Sequence, residues 1–598
     1  MTPVRQRHHR EHQAMPLPEY VWSKPAAPVE PPDFARQFGF TKELWGLVAG
    51  RFPEAASGAE ALRRLVEPRL ADIANPFDFP GVRSAAEVIS AAMDHGGEIV
   101  IFGDFDADGV TATAIISSVV GSLGGRVRPF IPFRSEGYGL TDAAVTRCLA
   151  GGVPDVLVTV DCGITATESL RRLIDAGARV VVTDHHLPGD AVLPDECVAV
   201  APHFAGAPAP LRHLCGAGVA FTLAAGLVLL RLPEKDSAGI SARRALFSWL
   251  GALAVATVAD VVPLDGENRT IVSLGLKALN SRPSTGLRQL MLATMDSGDI
   301  DTRTIGYVIA PHINSAGRMA DATLALDLLL ADDPDVARNL AVRLKQTNAL
   351  RKSECARIDA EASAQAESRD IFDPDADGAF VGAADSWHPG VVGLGAARIS
   401  EKYRRPAALV SFMGGEIGRG SVRAPAGYDV HAALEECSGL LVTFGGHESA
   451  AGLSVRRGDL DAFRRAFSAA CLRQAGGVSA APELEIAGRL AVPRIGTGLL
   501  DAVARLAPFG EGNQEPVFEI ANVAAKASIL GRTVPKGLRL AISDDGGATI
   551  DGLWFGAQDL LDEFRRQGRW DFAATLLPDD YSGIRSVKLR IVDARPAR

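Results

Sequence analysis

Cysteine is scarce and unpaired in this sequence. The seven cysteines (Cys148, Cys162, Cys197, Cys215, Cys355, Cys437 and Cys471) are odd in number, and no C-x-x-C occurs. This excludes a disulfide framework and a zinc ribbon and points to a reducing, cytoplasmic compartment. Long apolar runs are missing too. None reaches the roughly 18 residues that a membrane span requires. The longest, Ala217 to Leu232, is Ala/Gly-rich and predicts a buried helix, so no membrane association is expected. The basic N-terminus, MTPVRQRHHREHQAMPLPEY, has no apolar h-region. It is therefore no secretory signal and predicts a disordered arm. Its His8-His9 pair has no further ligand at a useful spacing. No internal repeat or long low-complexity tract interrupts the chain. Formal net charge is −10, so any nucleic-acid contact must use a local basic surface.

The chain has 598 residues, too many for one core, with the ordinary apolar (47%) and charged (22%) content of a globular protein. Residues 1–80 are Pro-rich and then weakly helical. Beyond them, apolar runs alternate with amphipathic segments. EIVIFG (98–103), PDVLVTV (154–160) and ARVVVT (178–183) are apolar on both faces and separated by helical stretches, the pattern of a parallel α/β sheet. Residues 322–369 predict two helices broken at Asp332–Pro334, the second long enough to be an interdomain rod. A glycine-rich α/β region follows at about 371–475. The last 120 or so residues hold five short strand-like runs, which suggest a small barrel. Within it, alternation puts one of Trp554 and Phe555 inward.

Several apolar segments end in the same chemistry. Ile99–Phe102 runs into Asp104, Asp106 and Asp108; Val156–Val160 into Asp161; Val180–Thr183 into Asp184, His185 and His186. A fourth apolar segment, 251–259, delivers Asp260. In a parallel sheet the carboxyl ends of the strands share one edge, where such folds bind ligands. Singly, each piece has a plain reading: Asp161 before GITATESL could cap a helix. DFDADG resembles the start of a calcium loop, but Ile115 and Ser117 stand where the bidentate Glu would be, on an apolar helix. It is the convergence that points to chemistry. Carboxylates crowded at one edge repel unless cations neutralise them, and a histidine there suits Mn²⁺ as well as Mg²⁺. Two such ions could activate water for phosphoester hydrolysis. Between Arg398 and Arg423, six basic residues face two acids, enough to hold a polyanion opposite the acidic edge.

The strand-end D-H-H, with D-x-D upstream and a strand-end Asp between, resembles the DHH phosphoesterase superfamily. Eleven segments stand in family order, among them GDFDADG (103–109), RSEGYGL (134–140), TVDCG (159–163), TDHH (183–186), GAGVAF (216–221), INSAGR (313–318), GRGSVR (418–423), GGHESAAG (445–452) and PFGEGNQEP (508–516). Within the superfamily the chain is similar to the single-stranded-DNA-specific 5′→3′ exonucleases, from about residue 80 onward. The resemblance implies an α/β fold in which a DHH-type parallel-sheet catalytic domain (81–321) is joined by connecting helices (322–370) to a DHH-associated α/β domain (371–476). An OB-like β-barrel domain (477–598) follows, and 1–80 form an N-terminal arm and helical extension.

The resemblance also implies roles. Asp106, Asp108, Asp161, His185 and Asp260 would ligate two Mn²⁺ or Mg²⁺ ions, Asp161 bridging them, with Asp104 a ligand or a neighbour in the same acidic loop. His186 would face the scissile phosphate, and Asp184 would orient a histidine or cap the turn. Ser421, Arg423, His388 and His447 would hold phosphate, the two histidines having a turn-stabilising role as the plain alternative. Arg134 and Arg318 would contact substrate. Tyr138 would stack on a base or simply pack. His312, His203 and Ser315 depart from the family pattern, none of them at a proposed ligand. The implied activity is release of mononucleotides from the 5′ end of single-stranded DNA in recombination and repair, by a monomer working with a single-strand-binding protein and a helicase. Two other readings are a hydrolase of short oligoribonucleotides or cyclic dinucleotides, and a DNA-binding scaffold without activity. The first lacks the terminal barrel and the second predicts lost ligands.

Overall fold

The computed structural model describes residues 20–597 apart from 233–236, 297, 370, 375, 475–481, 532–533, 535, 567 and 580–584. The N-terminal arm and its histidine pair lie outside the described residues. Contacts divide the chain into two units, residues 73–479 and residues 1–72 with 480–598.

In the first unit, every both-faced apolar run is a strand. β1 (Glu98–Gly103), β2 (Arg126–Phe130), β3 (Val156–Val160), β4 (Arg179–Thr183) and β5 (Val198–Val200) form a parallel sheet ordered β2-β1-β3-β4-β5. The register pairs Gly103 with Val160 and Val160 with Thr183. The residues that follow, Asp104, Asp161 and Asp184, therefore leave the sheet level with one another. One face of the sheet is covered by α1 (Ala107–Ser122), α2 (Gly216–Arg231) and the helix Val82–Asp94, with α3 (Leu250–Ala259) packed behind on α1 and α2, and all share the largest apolar cluster with β1 and β3. The fourth apolar segment thus reaches the site differently from the other three. It is a helix, rich in alanine rather than β-branched residues, and Asp260 sits at its C-terminal cap. The stretch Gly239–Ala259 has the length and mean hydropathy (1.2) of a membrane span, but half of it is buried inside the fold.

Thr323–Leu330 is followed by α4 (Pro334–Ala366), a 33-residue helix. Asp333 caps it, accepting from the N–H groups of Asp335 and Val336, and Pro334 takes the first position, where no donor is needed. Beyond lie β6 (Phe380–Ala384), α5 (Val392–Tyr403), β7 (Ala407–Ser411), β8 (Ile417–Arg423), β9 (Leu441–Gly446), β10 (Ala450–Arg456) and α6 (Leu460–Gln474), with sheet order β9-β10-β8-β7-β6.

In the second unit, β11 (Gly488–Arg489) joins a ring of five strands: β12 (Phe518–Leu530), β13 (Gly537–Ser543), β14 (Thr549–Phe555), β15 (Trp570–Asp579) and β16 (Ser586–Pro596). Pairing runs β12-β13-β14-β16-β15 and returns to β12, closing a barrel without open edges. Trp554 is buried and Phe555 exposed, as strand alternation requires. The N-terminal segment belongs to this unit. Strand Val21–Trp22 pairs with Glu483–Leu484, and Trp22 Nε1 donates to Asp593 at 2.7 Å. Leu44, Trp45, Leu47, Val48 and Leu62 share one apolar cluster with Leu490, Leu500, Phe518 and Trp570.

Candidate active site

The level strand ends bring the acids together. Asp104, Asp108, Asp161 and Asp184 are all at least 97% buried. Asp161 takes a left-handed backbone, φ 60°, directly after β3, a conformation uncommon outside glycine. It caps no helix: the next one, Thr167–Asp175, begins after Ala166. Asp106 caps α1, accepting from the N–H groups of Asp108 (2.9 Å) and Gly109 (3.1 Å). Asp108 is pinned by the N-terminus of α2: Gly216 N–H donates to Oδ2 at 2.6 Å and Ala217 N–H to Oδ1 at 2.8 Å. Position 216 has to be glycine, because a Cβ there would lie 2.5 Å from the Cβ and Oδ1 of Asp161.

His185 Nε2 points among these acids, 3.2 Å from Asp161 Oδ1, 3.6 Å from Asp260 Oδ2 and 3.9 Å from Asp108 Oδ2. Three groups of potential ligand atoms come within 4.8 Å of one another: Asp161 with His185 and His186; Asp108 with His185 and Asp260; Asp104 with Asp106 and Asp161. Burial first, then mutual repulsion, raises the acids. Asp108 is pushed up to about 6 and Asp260 to about 9, and Asp104 and Asp161 also rise. Burial, then the charge of His186, lowers His185 to about 4, so its imidazole is neutral and has a free lone pair.

The residues fit a divalent metal centre. Asp104 Oδ1, Asp161 Oδ1, Asp260 Oδ2 and His185 Nε2 are buried without a hydrogen-bond partner in the structure. Orphaned buried acceptors on this scale are costly unless something fills the space between them. Acidic oxygens with one imidazole nitrogen make a donor set suited to Mg²⁺ or Mn²⁺.

Asp184 does different work. Its Oδ1 accepts from the N–H groups of His185 (2.8 Å) and His186 (3.1 Å) and lies 2.8 Å from His186 Nδ1. Its Oδ2 accepts from Ile164 N–H at 2.9 Å. Burial would raise its pKa, but these donors, His186 first, hold it below the ordinary carboxylate value. For His186, burial acts downward, but the Asp184 hydrogen bond together with the charges of Asp184, Asp108 and Asp104 outweighs it and the net shift is upward.

Arginines stand opposite the acids. Arg134 Nε donates to Gly317 O at 2.8 Å. Arg318 approaches Gly390 O, and its charge is felt alongside those of Arg134, Asp106 and Arg423. Burial lowers the pKa of all three arginines, Arg318 to about 10. Ser421 and Arg423 lie on β8 against the start of α5, where a Cβ on Gly393 would stand 3.3 Å from Ser421 Oγ and from Arg423 Nη2. His388 is half-buried, accepts from Gly390 N–H through Nδ1 at 3.1 Å, and also feels Arg134. His447 is not drawn in: it sits in the exposed turn between β9 and β10, its N–H donating to Ala450 O. Tyr138 is more than half exposed, and its hydroxyl lies 3.2 Å from His186 Nε2. Sequence reasoning missed the Gly216 and Ala217 donors and Asn314, whose Oδ1 accepts from Ala107 N–H at 2.7 Å and fixes the start of α1. Their only signal lay in the segments GAGVAF and INSAGR.

Three family models match the chain: the DHH family N-terminal domain over residues 98–256, the DHHA1 domain over 377–472 and the RecJ OB domain over 486–593. A single-stranded-DNA-specific exonuclease RecJ from Dickeya dadantii is 34% identical over 537 residues, covering 86% of this chain and 90% of its own. The same-named protein of Bacillus subtilis is 34% identical over 409 residues, 68% of this chain, which spans half of that relative's length. Among solved structures, RecJ from Thermus thermophilus in complex with Mn²⁺ superposes with a TM-score of 0.77 at 31% identity, covering 96% of this chain and 80% of that one. Its Mg²⁺ complex gives 0.71 at 29% identity, with 96% and 78% covered.

Proposed function

Because this chain belongs to the RecJ family of DHH phosphoesterases, we propose that it is a metal-dependent exonuclease that removes 5′-mononucleotides from single-stranded DNA in recombination and repair. The observation that carries this reading is the buried convergence of Asp104, Asp161 and His185 with Asp260, whose ligand atoms have no protein partner. Asp106, Asp108, Asp161, His185 and Asp260 would hold two Mn²⁺ or Mg²⁺ ions, with Asp161, which enters two of the three ligand groups, between them. Bound there, the ions supply Lewis-acid activation of water and neutralise charge building on the phosphate.

The chain's own residues do the rest. His186, its ring held at Nδ1 by Asp184, would meet the scissile phosphate beside the metal edge. Arg134, Arg318, Ser421 and Arg423 would grip backbone and terminal phosphates, with His388 and, from the exposed turn, His447 as further contacts. The barrel adds a second surface for single strands. The cytoplasmic location, monomeric state and single-strand-binding protein and helicase partners belong to this proposal on the strength of the family resemblance. Seven free cysteines are consistent with a reducing compartment.

The test is hydrolysis of 5′-labelled and 3′-labelled single-stranded DNA, matching duplex and RNA with Mn²⁺, Mg²⁺ or EDTA. Metal-dependent release of the 5′ label as mononucleotide from single-stranded DNA supports the reading. Activity confined to short RNA, or tight DNA binding without hydrolysis, would sink it.

A further inference from the structure

His186 is held at both ring nitrogens. Nδ1 lies 2.8 Å from Asp184 Oδ1, and Nε2 lies 3.2 Å from the Tyr138 hydroxyl. Asp184 therefore holds the imidazole at Nδ1, and the tyrosine hydroxyl meets the same ring at Nε2. The tyrosine is itself fixed. Its ring meets Phe105 edge-on with centroids 6.3 Å apart, and the Arg134 guanidinium lies 4.2 Å from the centre of the Phe105 ring. Phe105 sits in the acidic loop between Asp104 and Asp106. Glycines flank the tyrosine, Gly137 with φ 105° and Gly139 with φ 69°. A side chain at 137 would also press to 2.9 Å from Thr141. The loop is therefore shaped to deliver Tyr138, and the hydroxyl arrives at the one nitrogen of His186 that Asp184 leaves open.

We infer that Tyr138 is a positioning residue whose working group is its hydroxyl, which through Nε2 holds the orientation of the His186 imidazole beside the acidic edge. This differs from base stacking, which would use the ring face and leave the hydroxyl idle. The inference rests on the reading of His186 given above.

The test compares wild type, Tyr138→Phe and Tyr138→Leu in steady-state hydrolysis of 5′-phosphorylated single-stranded DNA with Mn²⁺. Histidine ¹⁵N spectra of the same proteins accompany it, with the His186 Nε2 signal assigned by its loss in His186→Gln. In Tyr138→Phe, kcat should fall about tenfold with KM unchanged within about twofold, as for a contact that matters in the transition state. Tyr138→Leu should lose about as much kcat and no more, melting temperatures should stay level, and the Nε2 resonance should move in both variants. Wild-type kcat in Tyr138→Phe with a raised KM in Tyr138→Leu would overturn the inference in favour of stacking. A kcat loss that tracks a fall in melting temperature would overturn it in favour of packing. An unmoved Nε2 resonance would overturn it whatever the kinetics. If the wild type released no nucleotide, the functional reading would fail, while the Nε2 shift would still decide whether the hydroxyl holds His186.

Discussion

The acidic edge and the arginine cluster of the larger unit are mirror images in electrostatic terms. At one, burial pushes Asp108 and Asp260 up toward neutrality, with the charge of Asp106 adding to the first and those of Asp108 and Asp106 to the second. At the other, Arg318 is pulled down by burial and by Arg134. Each pole concentrates like charge where water is scarce, a state that neither hydrophobic packing nor internal pairing favours. The two do not neutralise each other: no direct ion pair joins Arg134, Arg318 or Arg423 to these acids among the described residues. On the proposed reading each pole would be completed from outside, the first by cations and the second by phosphate. The difference between them predicts how each fails.

Asp161→Ala should have the largest effect. Losing the acid shared by two ligand groups should lower kcat on the order of 10³-fold and abolish Mn²⁺ binding by titration calorimetry, with the circular dichroism spectrum unchanged. If Mn²⁺ still bound with wild-type affinity, the acidic pole would not be a metal centre. At the other pole, Arg423→Ala should leave metal binding intact. It should cost about ten- to hundredfold in kcat/KM, the range for a lost hydrogen bond to a charged group, and mostly on 5′-phosphorylated ends. Equal losses with and without the 5′ phosphate would remove Arg423 from the terminal-phosphate role.

Metal removal should expose the acidic pole as a pH-dependent weakness. Asp108 and Asp260 have pKa values of about 6 and about 9, against 3.8 ordinarily. Their neutral forms favour folding, so that stabilisation is fully present below pH 3.8 and is lost as pH rises through about 6 and then about 9. In EDTA the melting temperature should therefore fall across that window. Mn²⁺ at a hundred times its Kd should restore ~2.7 kcal/mol and flatten the curve. A flat melting profile in EDTA would contradict the crowding described here.

Glu267 separates burial from crowding and should show the smallest effect. It is raised to about 7 by burial alone, partly offset by a hydrogen bond from Ala74 N–H, with no like charge contributing. Its stabilisation is present below pH 4.5 and lost as pH rises through about 7. Glu267→Gln keeps the acceptor and should stabilise the protein by about 1–3 kcal/mol at pH 8 relative to pH 5, without changing kcat. A denaturant titration at the two pH values checks it. No gain at pH 8 would mean that Glu267 is better solvated than its burial implies.

The parts of this site that are legible in the sequence share one property: residue type and local pattern coincide. Strands β1, β3 and β4 announce themselves as apolar runs, and their terminal acids follow within a residue. Asp260 is legible as an acid after an apolar segment, but not as the cap of a helix, because an apolar run without polar alternation fits either state. The donors from Gly216 and Ala217 are invisible at that level, since they are backbone N–H groups whose role depends on where Asp108 arrives. Tyr138 is legible as an aromatic near the site. Its hydroxyl contact is not, because it depends on a loop that meets His186 from 48 residues away. The packing of residues 20–72 on the barrel has the least local signal of all, a two-residue strand and scattered apolar positions.

That packing has a consequence for how the protein is made. Ser23 Oγ accepts from Ile486 N–H, 463 residues further along the chain. A segment made early thus contributes to a core whose other part is made only after residues 73–479. The acidic centre, local to residues 73–479, can form while Leu44, Trp45 and Val48 still have no partner. Until the barrel residues are made, those side chains remain an exposed apolar hazard of the kind chaperones attend to. Of the two units, the one begun earlier along the chain is the one completed later.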